Sequence, residues 1–187
     1  MPGNFFSFED QIVFYGQYHR DSVNKAIHFV FVPVILWSVL VLLHNTPAAA
    51  EWAYSYYIPL NIASLTTLVY TGFYILIEPL TGILYAPFLI LGYHTAHLFA
   101  SLVDNSTALA VLSIVVSFAI QIAGHEYAEK RRPAFFDNLS QAFLFAPFFV
   151  FFEILTLFGY KKALCEKLDK KIDIAILKWK AEQHRAD

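Results

Sequence analysis

Imidazole is the conspicuous chemical resource of this sequence. Its 187 residues include seven histidines (His19, His28, His44, His94, His97, His125 and His184) but a single cysteine, Cys165. One cysteine excludes an intramolecular disulfide framework and any multi-cysteine zinc site. Neutral imidazole is a good ligand for iron, zinc, copper and nickel, and three or more from separate helices can hold a metal while leaving positions open for substrate. Carboxylates and cations crowd behind one of the seven: Glu126, Glu129, Lys130, Arg131 and Arg132 follow His125. His125 and Glu129 are four apart and share a face if the helix continues, so Glu129 is a candidate to bind a metal or to orient an imidazole. Lys130 and Arg131 suit a carboxylate or an anionic headgroup, an arginine fork matching a carboxylate bidentately; they equally suit a membrane anchor. His94 and His97, three apart, permit a ligand pair, a helix-packing contact or a proton relay.

The elements that must position these side chains are membrane helices. Hydrophobic residues make up 58% and charged residues 15%, against roughly 45–50% and 25% in an ordinary soluble domain. That excludes a disordered chain and argues against a soluble globular enzyme. A net charge of −2 offers no basic surface for nucleic acid. Residues 26–50, 52–77, 79–103 and 105–125 contain no Asp, Glu, Lys or Arg. About 20 apolar residues span a bilayer core as helix. The expected fold class is therefore an all-α, polytopic membrane bundle with four spans, near 26–44, 57–77, 83–103 and 107–125. No strand pattern and no repeat stands out. The first 20 residues lack the basic start and short apolar run of a signal peptide.

All thirteen Lys and Arg lie outside residues 26–129, and cytoplasmic flanks collect these residues. Four spans put the N-terminus and the 126–138 loop on one, cytoplasmic, side. The apolar stretch 139–159 carries Pro147 and Glu153. Crossing there would put the most basic segment on the far side, and a lipid-facing carboxylate at mid-bilayer costs a few kcal/mol or more. A re-entrant or in-plane helix pair broken near Pro147 is expected, with a fifth span as the alternative. From Lys161, Leu164, Leu168, Ile172, Ile176 and Trp179 recur every three or four residues, the mark of an amphipathic helix lying on the membrane or on the protein. The chain is expected to be a single membrane domain over 1–187: a cytoplasmic N-terminal helix in 1–25, the bundle in 26–159 and an amphipathic cytoplasmic tail in 160–187. Near the start, Ser7 with Asp10 fits a capping box. Phe8, Ile12, Tyr15 and His19 then share a helix face, and Asp21 or Ser22 caps the next helix.

This topology sorts the histidines. His19 precedes the first span, His28 begins it and His125 closes the fourth, so three helical segments bring these three to one cytoplasmic level. His94 and His97 lie mid-span, His44 at the opposite end of span one, His184 in the tail. Two readings of the first three stand: a metal site, or interface histidines bonded to headgroups and helix ends. Asp137, Asn138 and Gln141 open the last apolar stretch, as a helix cap or as hydrogen-bond partners of ligating histidines. The many Phe residues of 135–158 read most simply as core and lipid contacts.

Two long blocks carry a resemblance. "FYGQYHRDSVNKAIHFVFVP" at 14–33 and "QIAGHEYAEKRRPAFFDNLSQAFLFAPFFVFFEIL" at 121–155 resemble the N- and C-terminal signatures of the 2-hydroxy-fatty-acid dioxygenases of the endoplasmic reticulum membrane, a family once known only as a domain of unknown function. The likeness spans roughly residues 8–160. The middle, 45–110, matches only in hydropathy, so no role is carried onto His94 or His97. The resemblance implies Fe(2+)-dependent α-oxidation, in which a 2-hydroxy fatty acid and O₂ give a fatty acid one carbon shorter, fed by phytosphingosine breakdown. The residues matching the family's blocks are His19, Asn24, His28, His125, Glu129, Lys130, Pro133, Asp137 and Asn138. On that footing His19, His28 and His125 are the expected metal ligands and, with Glu129, the catalytic set; Glu129, His94 and His97 are lesser candidates as ligands. Lys130 or Arg131 is expected to steady the substrate carboxylate, with Asn24 and Asn138 also toward substrate.

Other classes stay open at this stage. A non-enzymatic scaffold or lipid-binding protein would hold structural histidines and no stoichiometric metal. A transporter would favour ionisable groups deep in the spans, where only His94 and His97 qualify. Zinc on the same ligands would suggest hydrolysis. A desaturase-like di-iron site would need several clustered histidine motifs, and only His94-x-x-His97 is present.

Overall fold

The structure is a computed structural model that describes the backbone of residues 3–46, 61–133, 138–139 and 141–186. Every regular element among them is helical: α1 (Phe8–Gly16), α2 (Ser22–His44), α3 (Ile62–Ile77), α4 (Pro79–Leu102), α5 (Ser106–Gly124), α6 (Ala146–Leu157) and α7 (Lys162–Ala186), with π turns at His125–Glu129 and Gln141–Phe145. Three helices are long and apolar enough to cross a membrane: Ser22–His44, Pro79–Leu102, and α5 extended through its π turn, Ser106–Glu129. Of the span expected over 57–77, the described part is α3, with 16 residues, short of the roughly 20 that cross a bilayer core; residues 57–60 lie outside the described residues. The helix expected from 83 starts at Pro79, because Glu78 caps it and proline at the first turn presets the helical φ.

The chain divides into two compact units, 30–121 and 1–29 with 122–187. In the first, α3 and α4 pack as a hairpin turning on one residue. Glu78 ends α3 and caps α4, its carboxylate accepting from the backbone N–H (2.9 Å) and the hydroxyl of Thr81. A Cβ on Gly82 would fall into the backbone of Tyr74 and Ile75, so glycine sets how closely these helices approach. Leu40, Val41, Ala63, Tyr93, Ala96 and Ala110 form the unit's buried cluster. Small residues let apolar helices touch, and side-chain hydrogen bonds lock them: Trp37 Nε1 donates to Thr95 (3.0 Å), Ser38 to Ser113 (3.2 Å) and Asn45 to Thr107 (2.9 Å). Outward, Leu68, Leu76, Leu91, Leu102 and Leu112 are exposed, as lipid-facing positions would be.

In the second unit Ser7 caps α1 by accepting from the Asp10 N–H (3.3 Å). The capping box is only half built, because the Asp10 carboxylate accepts from the Asn4 N–H instead (3.0 Å). Asp21 caps α2, accepting from Val23 and Asn24. Pro147 stands in the first turn of α6, directly after a π turn, so it opens a 12-residue helix. Phe148, Phe149 and Phe152 are buried against Phe8 and Tyr15, and Phe145 against Phe5 and Phe149; all four are core. Glu153, whose charge argued against a lipid-facing crossing, is ion-paired to Lys25 at 2.7 Å. The tail helix α7 lays Leu168 and Ile172 onto α1, Ile172 against Gly16. Charge flanks that seam: Glu9 pairs with Lys167 (2.9 Å) and Lys171 (2.5 Å), and Arg20 with Asp169 and Asp173.

Three outcomes are expected. Gly82→Val should destabilise the α3–α4 hairpin by about 1–3 kcal/mol, read as a lower thermal midpoint in detergent. Gly72→Ala, where a Cβ meets nothing, should be neutral or stabilising by up to about 1 kcal/mol. Hydrogen bonds from Lys167, then Lys171, lower the Glu9 carboxyl from its usual 4.5 to about 2. A depressed carboxyl stabilises above its unfolded value and loses that contribution as pH falls toward the folded one. Protection of the α7 amides, measured against their intrinsic exchange rate at each pH, should thus fall between about pH 4.5 and 2, and Glu9→Gln should remove that step while costing under about 1 kcal/mol, as solvent screens the pair.

Candidate metal centre

Three histidines converge within the second unit. After α1 ends at Gly16 the chain continues in tight turns, Tyr18 N–H to Tyr15 and His19 N–H to Gly16, which roll His19 back over α1. There its ring stacks on Tyr15, centroids 4.0 Å apart and planes 13° apart. His28 lies on the early turns of α2. His125 lies where α5 widens into the π turn, closed by the Lys130 N–H donating to the His125 carbonyl, with Lys130 in the left-handed region at φ 54. Gly124 admits this geometry: a Cβ there would sit 2.9 Å from both Asn24 Oδ1 and Ile27 Cδ1.

The ring centroids are 4.5 Å apart for His19 and His28, 4.9 Å for His19 and His125, and 5.0 Å for His28 and His125, all edge to face. Each offers a nitrogen within 4.8 Å of the other two, and no carboxylate or cysteine among the described residues joins the group. The three are only 5%, 5% and 2% exposed, yet none has an acidic neighbour to pair with as a cation. Burial, then the neighbouring His28 and His125, holds the His19 ring well below the usual histidine range, and therefore neutral.

The hydrogen bonds decide which nitrogens face inward. His19 Nδ1 is 2.9 Å from the Tyr15 carbonyl and His28 Nδ1 is 2.9 Å from the Asn24 carbonyl. A carbonyl oxygen only accepts, so both Nδ1 atoms carry the proton and both Nε2 atoms keep a free lone pair. This is how ligating histidines are held. His125 Nδ1 is buried with no hydrogen-bond partner, and an orphaned buried nitrogen is costly without one. Two lone pairs and an orphan, from three buried imidazoles, fit a divalent transition metal.

Glu129 lies outside the histidine group. Its carboxylate accepts from the Arg20 N–H (3.0 and 3.1 Å), the Asp21 N–H (3.0 Å) and Asn24 Nδ2 (3.2 Å). It clamps the connection that carries His19 to the start of α2. Asn24, fully buried, gives its amide N–H groups to that carboxylate and to the Tyr18 carbonyl (3.3 Å), while its Oδ1 is buried without a hydrogen-bond partner among the described residues. The Arg131 guanidinium is sandwiched between Tyr18 (3.8 Å) and Trp179 (4.1 Å) and donates to the Gln17 carbonyl (2.8 Å). It fastens the tail. Lys130 is exposed, Asn138 is half-buried, and Asp137 lies outside the described residues.

His94 and His97 belong to the other unit. His94 is exposed, and the His97 ring lies 5.0 Å from His44. His44 uses both nitrogens, Nε2 donating to the Tyr93 carbonyl (3.2 Å) and Nδ1 accepting from Asn61 Nδ2 (3.2 Å). It ties the N-cap of α3 to α4. The group that sequence reasoning missed is Lys25 with Glu153 and Tyr15: Tyr15 donates to Glu153 at 3.2 Å, and Glu153 pairs with Lys25. The Tyr15–His19 spacing was legible; the long-range partner from α6 was not.

A family model described as "2-hydroxy-palmitic acid dioxygenase Mpo1-like" matches residues 5–157. The chain is similar to the "2-hydroxy-palmitic acid dioxygenase MPO1" of Saccharomyces cerevisiae, 32% identical over 168 residues that make up 88% of each chain. No solved structure matches.

Glu129→Gln is expected to weaken the clamp on the His19 connection. Amide exchange at Arg20 and Asp21 should speed up, and transition-metal affinity should fall by about 10–100-fold, the usual effect of losing a group that supports a ligand. Unchanged exchange at both amides would refute the clamp.

Proposed function

The chain belongs to the Mpo1-like family, and from that premise we propose that it is an Fe(2+)-dependent dioxygenase acting on a 2-hydroxy fatty acid. The reaction takes the acid and O₂ to a fatty acid one carbon shorter, a step of fatty acid α-oxidation in phytosphingosine degradation. The observation that carries this reading is the buried trio of His19, His28 and His125, two with Nδ1–H committed to backbone carbonyls. Three neutral nitrogens would leave positions open on an iron for other ligands. Iron(II), when bound there, would supply the oxygen chemistry and a Lewis acid for the carboxylate and hydroxyl oxygens of a 2-hydroxy acid.

The chain's own residues do the rest. His19, His28 and His125 hold the ion and exclude bulk water, their rings only 2–5% exposed. Glu129 and Asn24 hold the His19 connection against α2. Lys130, exposed directly after the π turn, has the freedom to reach a carboxylate that Arg131 lacks; Asn138 lies at the start of the apolar segment. The acyl tail stays among apolar helices. The family supports residence in the endoplasmic reticulum membrane, and the cations flanking the bundle support a multi-pass protein with its basic N-terminal segment and tail cytoplasmic.

Metal content of the detergent-purified protein, loaded anaerobically, tests this beside O₂-dependent shortening of a 2-hydroxy fatty acid. Wild type should carry near-stoichiometric iron and shorten the acid. His125→Ala should lose the iron and at least about 100-fold in activity, more than about 2.7 kcal/mol of transition-state stabilisation. Zinc in the wild type would point to hydrolysis, and no metal at all would leave a scaffold with structural histidines.

A further inference from the structure

Two of the three ring-bearing segments are joined by a contact in which no histidine takes part. Glu153 of α6 accepts from the Tyr15 hydroxyl of α1 through Oε2 (3.2 Å) and pairs through Oε1 with Lys25 of α2 (2.7 Å). Tyr15 is 3% exposed, and the Glu153 side chain is 15% exposed. Tyr15 serves His19 twice: its ring stacks on the imidazole, and its carbonyl holds the imidazole Nδ1–H. Lys25 stands three residues before His28, on the same helix face. One carboxylate therefore fastens the support of His19 to the helix turn that carries His28.

We propose that Glu153 is a positioning residue of the metal centre, setting the separation of His19 and His28 through Tyr15 and Lys25. This rests on the three-histidine pocket holding a metal. The alternative of plain core stabilisation is a weaker account of the geometry. Lys25 and Glu153 are partly buried; an ion pair so placed adds little net stability, and its better-attested use is to fix one arrangement among several. Here the arrangement fixed is that of two ligands.

Cobalt(II) is the probe, because its visible spectrum reads ligand geometry without turnover. The full chain in detergent is titrated as wild type, Tyr15→Phe, Glu153→Gln and the double variant Lys25→Met with Glu153→Gln. Tyr15→Phe keeps the ring stack and the backbone acceptor and loses only the hydroxyl; the double variant leaves no unpaired buried charge. Wild type should bind one cobalt. In variants that keep the wild-type thermal midpoint without metal, the cobalt bands should shift and affinity should fall about 10-fold or more. Wild type that binds no cobalt overturns the metal reading and this proposal with it. Wild type that binds, while Tyr15→Phe and the double variant give its spectrum and affinity unchanged, overturns this proposal alone.

Discussion

A buried imidazole is aimed at a metal most firmly when something else holds its other nitrogen. That constraint organises this protein's second unit. His19 and His28 meet it in the same way, each donating Nδ1–H to the carbonyl four residues earlier, Tyr15 and Asn24. The acceptors are helix backbone or its continuation, which cannot rotate away. Each Nε2 is thus aimed by secondary structure, at no cost in side-chain ordering beyond the ring itself. His125 differs: its Nδ1 has no partner, and its place comes from the π turn and from the close approach that Gly124 permits.

Charged residues around the trio act as fasteners. The carboxylate of Glu129 takes two backbone N–H groups and Asn24; the guanidinium of Arg131 lies between two rings; Arg20 and Glu9 tie α7 down. Of these, Glu129 and Arg131 follow His125 closely in sequence, and their spacing suggested a ligand and a substrate clamp. In the structure the Glu129 carboxylate holds backbone donors and the Arg131 guanidinium lies against two rings. The surrounding core is aromatic, with Phe148, Phe149 and Phe152 closing against Phe8 and Tyr15. Such packing holds rings in narrow orientations and keeps the pocket dry.

Much of this was legible in the sequence because its physics is local or one-dimensional. Uncharged runs reveal apolar helices, and α2, α4 and α5 are long enough to cross a membrane. The stripe Leu164, Leu168, Ile172 reveals an amphipathic helix, and α7 buries its centre. The convergence of His19, His28 and His125 followed from counting helix ends. What the sequence could not carry was pairing across distance. Nothing at residue 153 announces Lys25 or Tyr15, and nothing in the string Glu129-Lys130-Arg131 says which side chains will be consumed by backbone donors and rings. The one-residue hinge at Glu78 was hidden for a different reason: a charge between apolar runs reads as a loop, yet here it ends one helix and caps the next.

X-ray absorption at the iron edge, on the detergent-solubilised chain loaded anaerobically with iron(II), tests the centre most directly. A three-histidine site predicts a nitrogen and oxygen shell with the outer-shell scattering of about three imidazoles, reduced in His28→Ala, and the same count in Glu129→Gln. A shell with no imidazole scattering, or one that loses a carboxylate oxygen in Glu129→Gln while keeping its histidines in His28→Ala, would contradict it.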